Sequence, residues 1–215
     1  MRDWIDLNAI LPGYDWAVLI DRDGVLNVDT HYPHDVAKLE MVPEALKGMA
    51  ELAKLHANII VVSNQGGIAQ GRFTKHQMNA FNREIRARVE QAGGRIDAFY
   101  YCPHEEEKNL PEGVEPCQCS KPRPGMLLEA ASDFGFDLSR SFMIGDRLSD
   151  AMAGKAVGAT TIKVIPANIG QDSQPPATEV SPFVDYYVKF FDVAAEIICN
   201  YGFFNAIQMH DIEGH

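Results

Sequence analysis

Two aspartates one residue apart, Asp21 and Asp23, close the apolar run Trp16 to Ile20, and Gly24 follows them. A short apolar run of this kind predicts a buried strand over 16–20. Side chains two positions apart leave a strand on the same side. The two carboxylates would therefore converge at the carboxyl edge of a strand, where open α/β sheets hold their ligands. Such a pair can bind a divalent cation through oxygen. It can also divide the work of a nucleophile and an acid/base. Taken alone, the same four residues are equally an ordinary Asp-Gly turn.

Other segments repeat the theme. Gly145-Asp146 follows the apolar stretch 142–144, and Asp150 comes four residues later. Asp146 would add a third carboxylate at the same edge, a set that suits Mg²⁺. Asp150 is expected to cap a helix and to act only indirectly. Ser63 and Asn64 offer a hydroxyl and an amide after another strand, and the backbone N–H groups of Gln65, Gly66 and Gly67 can add an anion nest. Taken alone, that segment is better accounted for by an ordinary polar turn. Lys121, at the start of KPRPG, can balance phosphate charge, with Arg123 and Arg147 as further cations for an anionic substrate.

Cys102-Pro-His104, a spacer of twelve residues and Cys117-Gln-Cys119 supply three thiolates and one imidazole. A closed Cys₃His set is the donor pattern of structural rather than catalytic zinc. The ion would close a loop over 102–120 whose acidic spacer has little apolar content of its own. It would also hold the backbone directly before Lys121. Cys199 lies in an apolar helical run and is expected in the core.

Elements must position these groups. Helices are expected over 43–56, over the stretch opened by a Thr74/Gln77 capping box and stopped at Gly93-Gly94, from Pro124 to about Gly135, over 149–157 and over 190–200. Strands are expected at 16–20, 58–62, 98–101, 142–144, 160–165 and 186–188. Residues 1–15 read as an arm without assigned structure and 166–182 as a proline-rich loop. Alternating strands and helices predict a parallel sheet with helices on both faces. The polar strand ends then share one edge, and one site built from several loops is the natural reading.

The chain has 215 residues, 46% of them hydrophobic, enough for one domain over 1–215 with a real core. Its net charge of −11 argues against a nucleic-acid backbone or an anionic membrane as partner. The N-terminal segment lacks the apolar stretch of a signal peptide, and no run approaches the ~20 residues of a membrane span. A cytoplasmic monomer is expected.

Together, Asp21-Arg22-Asp23-Gly24, Ser63-Asn64, Lys121 and Gly145-Asp146-Arg147 with Asp150 resemble, in order, the four motifs of the haloacid dehalogenase superfamily of phosphotransferases. The resemblance spans roughly residues 16–165. It implies a HAD-like Rossmannoid fold with a minimal cap and a zinc-binding loop. It implies attack by Asp21 on phosphorus, an aspartyl-phosphate, and Asp23 as acid and then base. Mg²⁺ would be held by Asp21, the Asp23 carbonyl and Asp146, and the phosphoryl oxygens by Ser63, Asn64 and Lys121. Asp29, Tyr32, Gln65, Gly66, Ser120 and Arg147 are further substrate contacts on the same basis.

The segments DRDGVLNVDTHYPHD and SNQGGIAQGRFT and the zinc-type loop are similar to the phosphatases that act on heptose bisphosphate and on histidinol phosphate. The length of the spacer favours the heptose branch, which makes sugar precursors of lipopolysaccharide and other surface glycans. That branch usually has arginine before the motif lysine, where this chain has Ser120. Histidinol phosphate or another small phosphomonoester remains a second reading, with a phosphomutase, a nucleic-acid end phosphatase and a non-catalytic zinc-stabilised binding module as further alternatives.

Overall fold

The computed structural model describes residues 2–5, 14–105, 109–165 and 181–212, with the backbone alone for 2–5 and 202–212. The strands are β1 (Arg2–Ile5), β2 (Ala17–Ile20), β3 (Asn58–Asn64), β4 (Ala98–Cys102), β5 (Phe142–Gly145), β6 (Thr160–Val164) and β7 (Tyr186–Val188). The α-helices are α1 (Pro43–Leu52), α2 (Lys75–Gln91), α3 (Gly125–Phe134), α4 (Leu148–Lys155) and α5 (Phe191–Ile212). All seven strands join one sheet in the order β1-β4-β3-β2-β5-β6-β7. β2 to β7 run parallel, as the alternation of elements requires, with β2 between β3 and β5.

The central strands β2, β4 and β5 are buried along their whole length, and β3 up to Asn64, because helices cover both faces there. In β2, Val18 and Ile20 pack with Met49 of α1, Phe81 and Ile85 of α2 and Ile198 of α5. Ala17 and Leu19 point the other way, against Met126 and Leu127 of α3 and Ala153 of α4. Fully burying one such Leu or Ile side chain contributes roughly 1.5–3 kcal/mol. α2 opens on the expected capping box: Thr74 Oγ1 accepts from Gln77 N at 3.2 Å, and Gln77 Oε1 accepts from Thr74 N at 2.9 Å. Its Met78, Phe81, Ile85 and Val89 are buried as the periodicity predicts.

Several boundaries differ from expectation. The amino-terminal arm contributes β1, which pairs antiparallel to β4, so the sheet is not wholly parallel. α1 stops at Leu52 rather than at 56, because Arg95 gathers the carbonyls beyond it: Nη1 donates to Ala53 O at 2.8 Å and Nη2 to Ala57 O. β3 runs on through Ser63 and Asn64, which pair with Tyr101 and Cys102 of β4. The expected end of α5 at 200 falls short, since the helix continues to Ile212. Its first turns pack against α1 at Gly48, where a Cβ would stand 2.5 Å from the Phe191 ring. Of the proline-rich stretch 166–182, only the last two residues lie within the described structure.

Candidate active site

The carboxyl ends of β2, β3, β4 and β5 meet around one cleft of about 490 Å³. Asp21 and Asp23 leave the end of β2, and Asp21 N donates to Ile144 O at 2.8 Å, tying the start of the loop to β5. Gly24 has a φ of +85°, and a Cβ there would lie 2.4 Å from Asp146 Oδ2. Glycine serves both needs, the left-handed turn and the close approach of Asp146 from β5.

Lys121 is the centre of the charge cluster. It is 5% exposed, and its Nζ lies 2.7 Å from Asp21 Oδ1, 2.7 Å from Asp150 Oδ1 and 2.8 Å from Val62 O. Burial opposes its charge, but Asp150 and then Asp21 hold the ammonium above its ordinary value. Burial pushes the Asp21 carboxyl up to about 7; Lys121 opposes that shift, while Asp150, Asp146 and Asp23 add to it. Both partners of this pair thus stand above their ordinary values. Two carboxylates hold the lysine, whereas one ammonium cannot outweigh burial and three acidic neighbours for the aspartate. Burial, then Asp150, also lifts Asp146 to about 6.

Asp21, Asp146 and Asp150 bring oxygens within 4.8 Å of one another. When all three are ionised, three carboxylates against one ammonium leave two negative charges, which a divalent cation balances. The protein already uses both oxygens of Asp150. Oδ1 faces Lys121, and Oδ2 accepts from Arg147 N at 3.0 Å, capping α4. Asp150 therefore does more than cap: it shares the buried lysine. Asp146 Oδ1 is buried without a hydrogen-bond partner. That orphaned oxygen beside Asp21 fits a hard cation.

The Asp23 carboxylate is gripped from several sides. Arg22 donates from Nε to Oδ1 and from Nη2 to Oδ2, both at 2.9 Å. Gln65 Nε2 donates to Oδ2 at 2.9 Å and also to Ser63 Oγ at 2.8 Å, and Asn27 Nδ2 donates to Oδ1 at 3.1 Å. Gln65 is only 3% exposed, so its amide is an internal brace. Asn64 is braced too: its Oδ1 accepts from Lys121 N and its Nδ2 donates to Lys121 O, each at 3.0 Å. The strand end of β3 thereby positions the lysine backbone.

At the cleft mouth, Arg147 Nη2 pairs with Asp29 Oδ2 at 2.9 Å, and Asp29 Oδ1 accepts from His31 N. His31 and Tyr32 both adopt a φ of 61°, a conformation rare outside glycine. His34 Nδ1 donates to Tyr32 O at 2.7 Å, and the Arg72 guanidinium lies 4.5 Å from the Tyr32 ring centre. Gln70 Nε2 joins the loop after β3 to Glu105 at 2.7 Å.

Cys102 ends β4, and the chain returns with Cys117 and Cys119. Five separations among their Sγ atoms and His104 Nδ1 fall between 3.1 and 3.5 Å. Ligands on a tetrahedral zinc stand about 3.7 Å apart for metal–sulfur bonds of 2.3 Å. The set fits zinc after a slight opening. Burial raises the Cys102 and Cys119 thiols; burial acts upward on Cys117 too, but hydrogen bonds from Cys102 and from the Ser120 backbone bring it below the ordinary value.

Asp29, Tyr32, Ser63, Asn64, Gln65, Gly66, Ser120, Lys121 and Arg147 all line the cleft with Asp21 and Asp23. Asp146 lies just behind, in the carboxylate cluster. His104 and Arg123 also line it. Sequence reasoning missed Arg22 and Asn82, which meet at 2.9 Å. Asn82 had a signal: a polar residue at helical spacing between Met78 and Ile85 on an apolar face.

Comparison with known proteins follows the same lines. The Hydrolase_like family model (HAD-hydrolase-like) matches residues 118–175. The D-glycero-beta-D-manno-heptose-1,7-bisphosphate 7-phosphatase of Escherichia coli (strain K12) is 35% identical over 168 residues, covering 78% of this chain and 87% of the relative. Its namesake from Vibrio cholerae serotype O1 is 36% identical over 145 residues, 67% of this chain and 78% of the relative. A crystal structure of D,D-heptose 1,7-bisphosphate phosphatase from B. bronchiseptica, complexed with magnesium and phosphate, aligns with a TM-score of 0.73 at 27% identity, covering 87% of this chain and 99% of that one. With its parallel sheet and its acidic residues and lysine at the strand ends, the chain belongs to the haloacid-dehalogenase-like hydrolases, in the family that holds the heptose-bisphosphate phosphatases.

Proposed function

We propose that this phosphoric monoester hydrolase removes the 7-phosphate of D-glycero-D-manno-heptose 1,7-bisphosphate by way of a phosphorylated Asp21. The observation that carries the chemistry is the buried Lys121 ammonium, 2.7 Å from Asp21, beside the unpartnered Asp146 oxygen. Asp21 attacks phosphorus and the bond to the sugar oxygen breaks, that oxygen taking a proton from Asp23. Water then attacks the aspartyl-phosphate, gives a proton to Asp23 and frees phosphate. Lys121, the Ser63 hydroxyl and the backbone around Gln65 and Gly66 hold the phosphoryl oxygens. Asp21, Asp146 and the Asp23 carbonyl would hold Mg²⁺, which when bound supplies positive charge to the phosphoryl oxygens. Cys102, His104, Cys117 and Cys119 would hold zinc, securing the loop that leads into Lys121.

Relatives named for the heptose substrate support the choice of sugar. Ser120 favours the second reading, a substrate with less remote charge such as histidinol phosphate, because serine cannot grip a second phosphate as arginine would. Arg147, already at the mouth beside Asp29, is the cation we assign to that distal group. We take the chain to act as a single-domain cytoplasmic monomer without nucleic-acid or membrane partners. The net charge of −11 disfavours a nucleic-acid backbone or an anionic membrane surface as partner, and among the described residues no helix is long and apolar enough to cross a membrane.

The test is kcat/KM for heptose 1,7-bisphosphate and for histidinol phosphate in wild type, Arg147→Ala and Ser120→Arg, with Asp21→Asn as the inactive control. Wild type should prefer the heptose, Arg147→Ala should raise its KM, and Ser120→Arg should tighten binding or do little. A wild-type preference for histidinol phosphate overturns the sugar assignment. Wild-type turnover by Asp21→Asn overturns the nucleophile.

A further inference from the structure

We infer that Arg22 is a positioning residue: with Gln65 and Asn27 it clamps the Asp23 carboxylate at the reacting edge, and α2 anchors the clamp through Asn82. The inference rests on the assignment of Asp23 as acid/base.

Arg22 is 0% exposed and the largest fully buried side chain among the described residues. A guanidinium cannot escape burial by losing its proton. It needs a counter-charge and acceptors, and it has both. Its Nε and Nη2 form a two-pronged contact with Asp23 at 2.9 Å each, which sets the plane of the carboxylate as well as its place. The other contacts fasten the guanidinium itself. Nη1 donates to Asn82 Oδ1 at 2.9 Å, Nη2 also reaches Gln65 Oε1 at 3.0 Å and Pro33 O at 3.1 Å, and the group lies 5.0 Å from the Phe81 ring centre. Asn82 and Phe81 belong to α2, so a helix at the back of the sheet sets the orientation of a carboxylate at its edge.

Asp23 would not hold this place unaided. Its side chain is 15% exposed, and free of the fork it could turn among staggered rotamers. Proton transfer requires hydrogen-bond reach to the reacting oxygen, and a misplacement of about 1 Å costs on the order of 100-fold in rate. Gln65 adds a second link. The same Nε2 that donates to Asp23 donates to Ser63 Oγ, so one amide sets the spacing between the acid/base and the phosphate seat.

The two chemical steps separate this role from a merely structural one. With p-nitrophenyl phosphate the aryl oxygen leaves without needing a proton, so the first step forms the Asp21–phosphorus bond and releases p-nitrophenolate without Asp23. The second step still needs Asp23, which takes the proton of the water that displaces Asp21 from phosphorus. A displaced Asp23 therefore stalls the enzyme as its aspartyl-phosphate. In rapid mixing, Arg22→Gln should release about one p-nitrophenolate per active site in a burst and then turn over on the order of 100-fold more slowly than wild type. Asn82→Ala, remote from the cleft, should show the same rise in the ratio of burst rate to steady rate, to a smaller extent. General structural damage lowers burst and steady rate together.

Asp23→Asn is run beside them. Wild-type turnover there overturns the acid/base assignment itself. If Asp23→Asn stalls after a burst while the ratio in Arg22→Gln and Asn82→Ala stays within about twofold of wild type, the positioning role alone is overturned. Should Arg22→Gln fail to fold, the ratio in Asn82→Ala decides by the same criterion.

Discussion

Replacing Asp150 by asparagine removes one charge and almost no volume from the centre of the site. The carboxylate is 2% exposed, with Oδ1 2.7 Å from Lys121 Nζ and Oδ2 accepting from Arg147 N at 3.0 Å. Removing one partner of a buried ion pair costs roughly 3–5 kcal/mol, because the other charge is left buried and under-compensated. Lys121 keeps Asp21 as a partner, which points to the low end of that range. Loss of repulsion from Asp150 toward Asp21 and Asp146 offsets part of the cost. At pH 7 that offset comes mainly through Asp146, which burial and then Asp150 lift only to about 6 and so leave mostly ionised, and less through Asp21, which burial lifts to about 7. We expect Asp150→Asn to destabilise the metal-free protein by about 3 kcal/mol. Asp150→Ala also loses the α4 cap, for a further ~1 kcal/mol. Urea unfolding at pH 7 measures both, from the shift in midpoint at constant slope. A change below about 0.5 kcal/mol for Asp150→Asn, the size of an ordinary surface substitution, would refute the view that Asp150 shares the buried lysine. Equal losses in the two variants would refute the cap.

Asp21 and Asp146 must be ionised to hold Mg²⁺, and both stand above the ordinary carboxylate value, so Mg²⁺ affinity should weaken as pH falls through about 7 and then about 6. Calorimetric titration without substrate reads this, and an affinity constant from pH 8 to 5.5 would contradict it. Elemental analysis should find one zinc per chain. Cys117→Ser should speed hydrogen exchange over 103–105 and 109–120 while leaving β2 to β6 protected, and a full complement of zinc in a variant lacking both Cys117 and Cys119 would rule the site out.

The sequence alone determined the alternation of strands and helices, the capping box at Thr74, the convergence of Asp21 and Asp23 at a strand end and the Cys₃His set. Each of these depends on spacing within one element or one loop, which local backbone geometry converts directly into direction. The tertiary structure decided what those directions meet. β1 is four residues that gain their meaning only by pairing with β4. α1 ends where Arg95, beyond the next strand, collects its trailing carbonyls. α5 extends over a face of α1 that is open because residue 48 is glycine. Within the site, Asn64 and Gln65 show their residue types in the sequence but not that their amides turn inward, to the Lys121 backbone and to Asp23. Arg22 was visible between the two aspartates, yet its burial against Asn82 of α2 was not. A hydrogen-bond partner sixty residues away depends on how the helices lie on the sheet, and no local spacing encodes that.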